Sequence, residues 1–168
     1  KFPRPVLVGD TVRYVLHDSE GDSATVHGSV GSGLVLDMKI RVSEAPKQGD
    51  LPASWPPLDM VDCALDDFST KQGKFAIGLD TSLAGARFPA LLGLYGAGWI
   101  GELVALSRLV GMVCPGRHSL FGQFEVGPNG SGNSGWLSYT SLGIDERFNR
   151  IELSVDGAVM AGRVRAFM

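Results

Sequence analysis

The sequence predicts an α+β fold in which a curved antiparallel sheet wraps around one long helix. Residues Trp99 to Val113 are apolar over most of a helical circumference, which is typical of a helix enclosed by other elements. Several other segments alternate apolar and polar residues, which is typical of half-buried antiparallel strands. Because a helix that is apolar on most sides must be covered on most sides, the sheet is expected to curve around it.

The first part of the chain is predicted to consist of strands joined by tight turns. A strand, a turn at Gly9-Asp10 and a second strand are expected before the turn at Glu20 to Asp22. A further strand is predicted from Thr25 to Val30. The clearest alternation runs from Leu34 to Val42, where apolar residues alternate with Asp37, Lys39 and Arg41.

A proline-rich stretch separates this region from the rest of the chain. Four prolines and a Gly-Asp pair between Ser43 and Asp59 predict a linker. We therefore expect strands over residues 1–45, a linker over 46–59 and a second region over 60–168. A helical turn at Met60 to Leu65 and a strand at Lys74 to Leu79 are predicted at the start of that region.

The central helix is expected to end at Cys114-Pro115-Gly116, because proline removes a backbone donor and glycine permits a turn. The alternating segments that follow it predict a meander whose last turn is the hairpin signal Asp156-Gly157. Its strands are expected at Ser119–Val126, Trp136–Ser141, Arg150–Val155 and Ala158–Phe167.

The whole pattern predicts about eight strands and one long helix, the arrangement called a hot dog, with the sheet as the bun around the helix. The second region has a leading segment, a helix and strands, whereas the first has strands alone. We interpret this as a double hot dog whose first repeat lacks its leading strand and helix. The chain also begins with Lys1 in strand-like sequence, so we expect the missing parts in an upstream segment or a partner chain.

Composition argues against several classes of function. The formal net charge is −3 and no cluster of lysine and arginine stands out, which argues against a nucleic-acid partner. Cys63 and Cys114 make neither a disulfide framework nor a metal site, so a reduced, cytoplasmic setting is expected. Glu102 and Arg108 interrupt the longest apolar run, which argues against a membrane span.

Two segments resemble a known family. Phe2 to Val12 (FPRPVLVGDTV) is similar to the strand that follows the central helix in MaoC-like acyl-thioester dehydratases and hydratases, and Leu106 to Phe121 (LSRLVGMVCPGRHSLF) resembles their second repeat. The resemblance implies a hot-dog lyase of fatty acid or polyketide metabolism, acting as a homodimer or double hot dog. Its substrate would be a thioester on coenzyme A or on the phosphopantetheine of an acyl carrier protein, with no other cofactor and no metal. The Asp and His motif of the family's hydratases is not in this sequence.

A second resemblance concerns the entry to the helix. Arg87-Phe88-Pro89 is similar to the His-Phe-Pro segment of β-hydroxyacyl-carrier-protein dehydratases, and Glu102 lies near the acidic position of their helix. Arg87 stands where that family has histidine. An arginine stays protonated near neutral pH and cannot act as a general base. The catalytic pair of that family is therefore broken in this half.

Removal or addition of water at the β-carbon of a thioester needs an acid, a base and donors for the thioester carbonyl. Glu102, on the apolar side of the helix, and His118, after a sharp turn, are the catalytic candidates. The alternative for Glu102 is an ion pair with Arg87 or Arg108. The candidates for substrate binding are the glycine-rich helix entry and the turn after the helix, that is Arg87, Tyr95, Gly96, Gly98, Gly116 and Ser119.

Three functions remain open at this point. The chain is a portion of a MaoC-like dehydratase or hydratase, or a non-catalytic hot-dog half that shapes the substrate tunnel of a catalytic partner, or a hot-dog thioesterase in which Glu102 activates water. The loss of histidine at position 87 favours the second. The function we expect is nevertheless dehydration or hydration of acyl thioesters, with the second repeat mainly forming the substrate tunnel.

Overall fold

The computed structural model describes residues 1–41, 51–61, 63–130 and 135–168. The chain divides into two compact units, Lys1–Glu44 and Ala45–Met168. Residues 42–50, which include the first part of the predicted linker, lie outside the described residues, as do residues 131–134 of the glycine-rich loop.

The first unit is a three-stranded antiparallel meander in the order β1-β2-β3. Its strands are β1 (Arg13–Glu20), β2 (Ser23–Val30) and β3 (Gly33–Arg41). The prediction of a strand before Gly9 is wrong. That segment instead turns at Val8 and Gly9, and the Asp10 side chain accepts a hydrogen bond of 2.8 Å from the Leu7 amide.

The second unit contains a five-stranded antiparallel sheet and a long helix, and it is an α+β fold. The sheet order is β4-β6-β7-β8-β5, so the strands that flank the helix in sequence become the two edges of the sheet. The elements are β4 (Gln72–Ala76), α1 (Thr81–Arg87), α2 (Pro89–Arg108), β5 (Leu120–Pro128), β6 (Trp136–Asp145), β7 (Arg150–Asp156) and β8 (Met160–Phe167).

The core of this unit lies between α2 and one face of the sheet. On β7 the apolar residues Ile151, Leu153 and Val155 are buried, and they alternate with Arg150, Glu152 and Ser154, as the sequence predicted. They pack in one cluster with buried residues of the helix, including Ala105, Leu106 and Leu109.

The helix is covered on most but not all sides, which corrects the expectation that it is enclosed. Leu94 is 70% exposed, and Leu103 and Val104 are exposed on the following turns. The sheet covers one side of the helix and Leu51 packs beside Gly101, whereas these three apolar residues remain in solvent. By length and composition, Pro89–Val113 is the one described helix that could cross a membrane, a test that the core helix of a globular protein also passes.

The helix is also longer than predicted and is broken within. It begins at Pro89 rather than Trp99, and Gly96 has φ 77° and ψ 172°, which only glycine adopts without strain. A short helix, α1, precedes it, and the Asp80 side chain caps α1 by accepting a hydrogen bond from the Leu83 amide. At the other end a π-helical turn, Leu109–Val113, leads into extended Cys114, so the predicted stop is confirmed.

The described part of the predicted linker packs on the second unit. Leu51 is buried in its core, and the Pro52 carbonyl accepts a hydrogen bond of 2.7 Å from the Leu79 amide. The predicted helical turn at Met60 is wrong. Val61 and Cys63 donate backbone hydrogen bonds to the Met112 and Pro115 carbonyls, and a 3₁₀ helix starts only at Leu65.

Candidate functional site

Glu102 is the one buried charged side chain among the described residues, and it faces the turn between β7 and β8. Its Oε1 accepts a hydrogen bond of 2.8 Å from the Ala158 amide, and its Oε2 accepts one of 2.9 Å from the Met160 amide. The Val159 amide lies between them, 3.1 Å from Oε1 and 3.3 Å from Oε2. Three successive backbone donors therefore surround one carboxylate, as in an anion-binding nest.

Burial raises the pKa of the Glu102 carboxyl, because removal from water penalises its charged form. The three backbone amides oppose that shift, and the negative charge of Asp156 adds to it. The site is also closed sterically. Glu102 is 0% exposed, and a Cβ atom on Gly157 would lie 2.3 Å from Oε2, so the turn closes tightly over the carboxylate.

Neither arginine considered as an ion-pair partner contacts this carboxylate in the described structure, so that interpretation is wrong. Arg87 lies exposed in the last turn of α1. The Arg108 guanidinium lies 4.9 Å from the Trp55 ring, and its Nη2 donates to the Pro56 carbonyl. The charge of Glu102 is balanced by backbone dipoles rather than by a cation.

His118 lies in the turn that follows the helix. It is exposed and has φ 70°, a left-handed conformation that is uncommon for a residue with a side chain. Ser119 holds this turn in place, since its Oγ is 2.6 Å from the Val110 carbonyl and 2.7 Å from the Gly116 carbonyl. Ser119 and Gly116 thus shape the turn around His118.

The structure does not bring Glu102 and His118 together. The His118 turn contacts the helix at Val110, and a rise of about 1.5 Å per residue separates Val110 from Glu102 by roughly 12 Å along the axis. Glu102 binds the β7–β8 turn, whereas His118 lies in the turn that leads to β5. The two catalytic candidates therefore lie at different places in the second unit.

The glycine-rich entry forms a second locus. The break at Gly96 starts a new helical segment in which Gly98 is buried, and the Tyr95 and Trp99 rings lie 6.4 Å apart. The first amides of a helical segment lack partners within the helix and can donate to an oxygen atom. Three of the six predicted binding residues therefore lie together, namely Tyr95, Gly96 and Gly98. The other three lie in the last turn of α1 (Arg87) and in the turn after the helix (Gly116 and Ser119).

The sequence reasoning missed the donors that bind Glu102. The Asp156-Gly157 hairpin signal was visible, but nothing in the pattern links it to a glutamate more than fifty residues earlier. Cys63 and Cys114 are both buried. Burial raises the pKa of the Cys114 thiol to about 12, which leaves it un-ionised at neutral pH.

A groove of about 540 Å³ lies between β5 and β8 on the face of the sheet that carries Gln123, Glu125, Arg163 and Arg165. None of the predicted site residues lines it. No group of three histidine, cysteine, aspartate or glutamate side chains in the described ranges is placed to hold a metal ion. Comparisons with family models, with curated proteins and with solved structures gave no match.

Proposed function

We propose that this chain is the non-catalytic half of a MaoC-like hot-dog dehydratase or hydratase of acyl thioesters. It stabilises the catalytic half and forms part of the substrate tunnel. The observation that carries this proposal is the sealed carboxylate of Glu102, which three backbone amides occupy. A general acid or base must reach the proton that it transfers, and Glu102 reaches only the backbone.

The hot-dog part of the proposal is supported by the sheet of the second unit. Its long helix lies in sequence between β4 and β5, which form the two edges of the sheet, and it packs on the inner face. The exposed apolar side of the helix, at Leu94, Leu103 and Val104, offers a wall for an acyl chain in a tunnel. The carrier would be coenzyme A or an acyl carrier protein, in the cytoplasm.

The chemistry divides between the two halves in this proposal. A base removes the acidic α-proton of the thioester, an acid protonates the departing β-hydroxyl, and backbone donors polarise the carbonyl. The amides that follow Gly96 supply the backbone donors that polarise the thioester carbonyl. The acid and base come from the catalytic half, because Glu102 is occupied and His118 lies at the other end of the helix.

The test uses the purified chain with a β-hydroxyacyl-CoA and the matching enoyl-CoA. We expect no interconversion of the two and no release of free coenzyme A. A non-reactive thioether analogue should bind with a saturable change in tryptophan fluorescence. Gly96→Ala should weaken that binding, because alanine is strained at φ 77°, and Gly93→Ala is the matched control, since a Cβ there meets nothing within 4 Å.

Turnover that His118→Ala or Glu102→Gln abolishes would contradict the proposal and restore a catalytic role for this chain. Release of free coenzyme A would favour the thioesterase alternative. Absence of any binding of the analogue would remove the thioester from the proposal altogether.

A further inference from the structure

The first unit has one apolar sheet face that remains in contact with solvent. We call it the open face, and it consists of Tyr14, Leu16, Val26, Leu36, Met38 and Ile40. Tyr14 is 64% exposed, Leu16 61% and Ile40 36%. The opposite face is mixed, since His27 Nε2 lies 3.5 Å from Asp37 Oδ1 there and the neighbouring Val35 is 2% exposed. A sheet with one apolar face normally buries it against another layer.

The second unit contains the same meander with that layer in place. β6-β7-β8 and β1-β2-β3 are both antiparallel, and in both the first pair of strands carries a bulge, at Leu16/Asp18 and at Ser141/Gly143. In the second unit the corresponding face is sealed, since Leu153 and Val164 are 0% exposed. The helix α2 packs in the same cluster.

The edges of the two meanders differ in a related way. In the second unit β4 pairs with the outer edge of β6, and β5 pairs with the outer edge of β8. In the first unit the Lys1 main chain pairs with Asp37 on the outer edge of β3, in the manner of β5. The outer edge of β1 has no strand partner within residues 1–41.

A second copy of the chain does not fit the open face well. Three strands of eight or nine residues, about 4.8 Å apart with a rise of roughly 3.3 Å per residue, cover about 400 Å² per copy, or about 800 Å² for two. Stable interfaces bury about 1,200–2,000 Å². Face-to-face pairing would also leave the edge of β1 unpaired, so an occupant must supply a strand as well.

We propose that the open face binds a strand-and-helix segment that precedes Lys1 in the same polypeptide, because the Lys1 main chain pairs with β3 as β5, which follows α2 in sequence, pairs with β8. The apolar helix of that segment covers the face, and its strand pairs with the outer edge of β1. This is the relation that α2 and β4 have to the second meander. The inference rests on the two meanders and does not depend on thioester chemistry.

The test is site-specific photocrosslinking in the cells that make this protein. Tyr14→p-benzoylphenylalanine places an aromatic photoprobe on the open face, and Leu16→p-benzoylphenylalanine is the second variant in case the first does not fold. Lys39→p-benzoylphenylalanine, at an exposed position among the polar residues of β3, is the matched control. The crosslinked peptides are then sequenced by mass spectrometry.

We expect adducts from the open face in several-fold excess over the control, on a peptide with an apolar helical pattern next to a strand pattern. The sequence of that peptide should place it upstream of Lys1 in the same polypeptide, and a peptide from a separate chain would overturn the proposal. Adducts between two open faces, adducts that stay within residues 1–168, or a yield no higher than that of Lys39→p-benzoylphenylalanine would overturn the proposal. A failed thioester assay would leave this result unaffected.

Discussion

The two meanders of this chain have the same topology and different surroundings. Leu16 in the first and Leu153 in the second both belong to the apolar face of a three-stranded antiparallel meander, yet Leu16 is 61% exposed and Leu153 is 0% exposed. The second meander owes its burial to α2, which packs on its apolar face. Alternation in a strand therefore indicates which face is apolar, and another element must bury it.

The largest expected effect compares these two leucines directly. Leu153→Ala should lower the free energy of unfolding of the second unit by about 3–4 kcal/mol, because it opens a cavity in a sealed core. Leu16→Ala should change stability by about 0.5 kcal/mol or less, since most of that side chain is already in solvent. All three tryptophans lie after residue 45, so urea unfolding followed by tryptophan fluorescence reports the second unit. Circular dichroism follows the Leu16→Ala variant, and equal losses at the two sites would contradict the comparison.

Glu102→Gln should lower the stability of the second unit by about 2–3 kcal/mol, since the amide has one acceptor oxygen for three backbone donors and turns its own NH₂ group towards them. The same tryptophan-detected unfolding measures the loss. Glu125→Gln, at an exposed position on β5, is the matched control and should be close to neutral. A neutral Glu102→Gln variant would mean that the turn does not depend on this carboxylate.

Gly157→Ala should cost about 1–3 kcal/mol, because the new Cβ atom would lie 2.3 Å from Glu102 Oε2 and must displace either the turn or the carboxylate. Gly93→Ala, where a Cβ meets nothing within 4 Å, should be neutral or slightly stabilising in the helix. If the two alanine variants had the same stability, the close contact between the turn and α2 would be in doubt.

The smallest effect is a pH dependence with a defined sign. The pKa of Glu102 is raised above its ordinary value of 4.5, so the folded chain holds this proton more tightly than the unfolded chain does. The wild type then loses stability as the pH rises from about 4.5 through the raised value, and Glu102→Gln lacks this titration. The stability deficit of the variant should therefore shrink as the pH rises through that window. A deficit that grows with pH would mean that folding lowers the pKa of Glu102 instead of raising it.

Periodicity predicted the meanders and the main helix because each depends on a repeat within one segment. The strands that contain Ile151 and Leu34 were predicted in this way, and so was the end of the helix at Cys114. The break at Gly96 and the short helix before it were not predicted, since a glycine-rich apolar run has the same pattern with or without a break.

The candidate site was harder to predict than the fold because it depends on contacts between distant segments. Glu102 was correctly singled out as a carboxylate on the buried side of the helix. Its partners are backbone amides of Ala158, Val159 and Met160, and backbone groups leave no signature in side-chain chemistry. An arginine partner was therefore the natural guess, and it was wrong.

Native-state hydrogen exchange of residues 1–168 alone tests the central contrast most directly. We predict that the amides of β7 and β8 exchange only when the second unit unfolds, because α2 seals their apolar face. Those of β1 to β3 should exchange far faster, by local opening of an uncovered sheet. Equal protection of the two meanders would contradict the account, since it would mean that the first meander is as completely covered as the second.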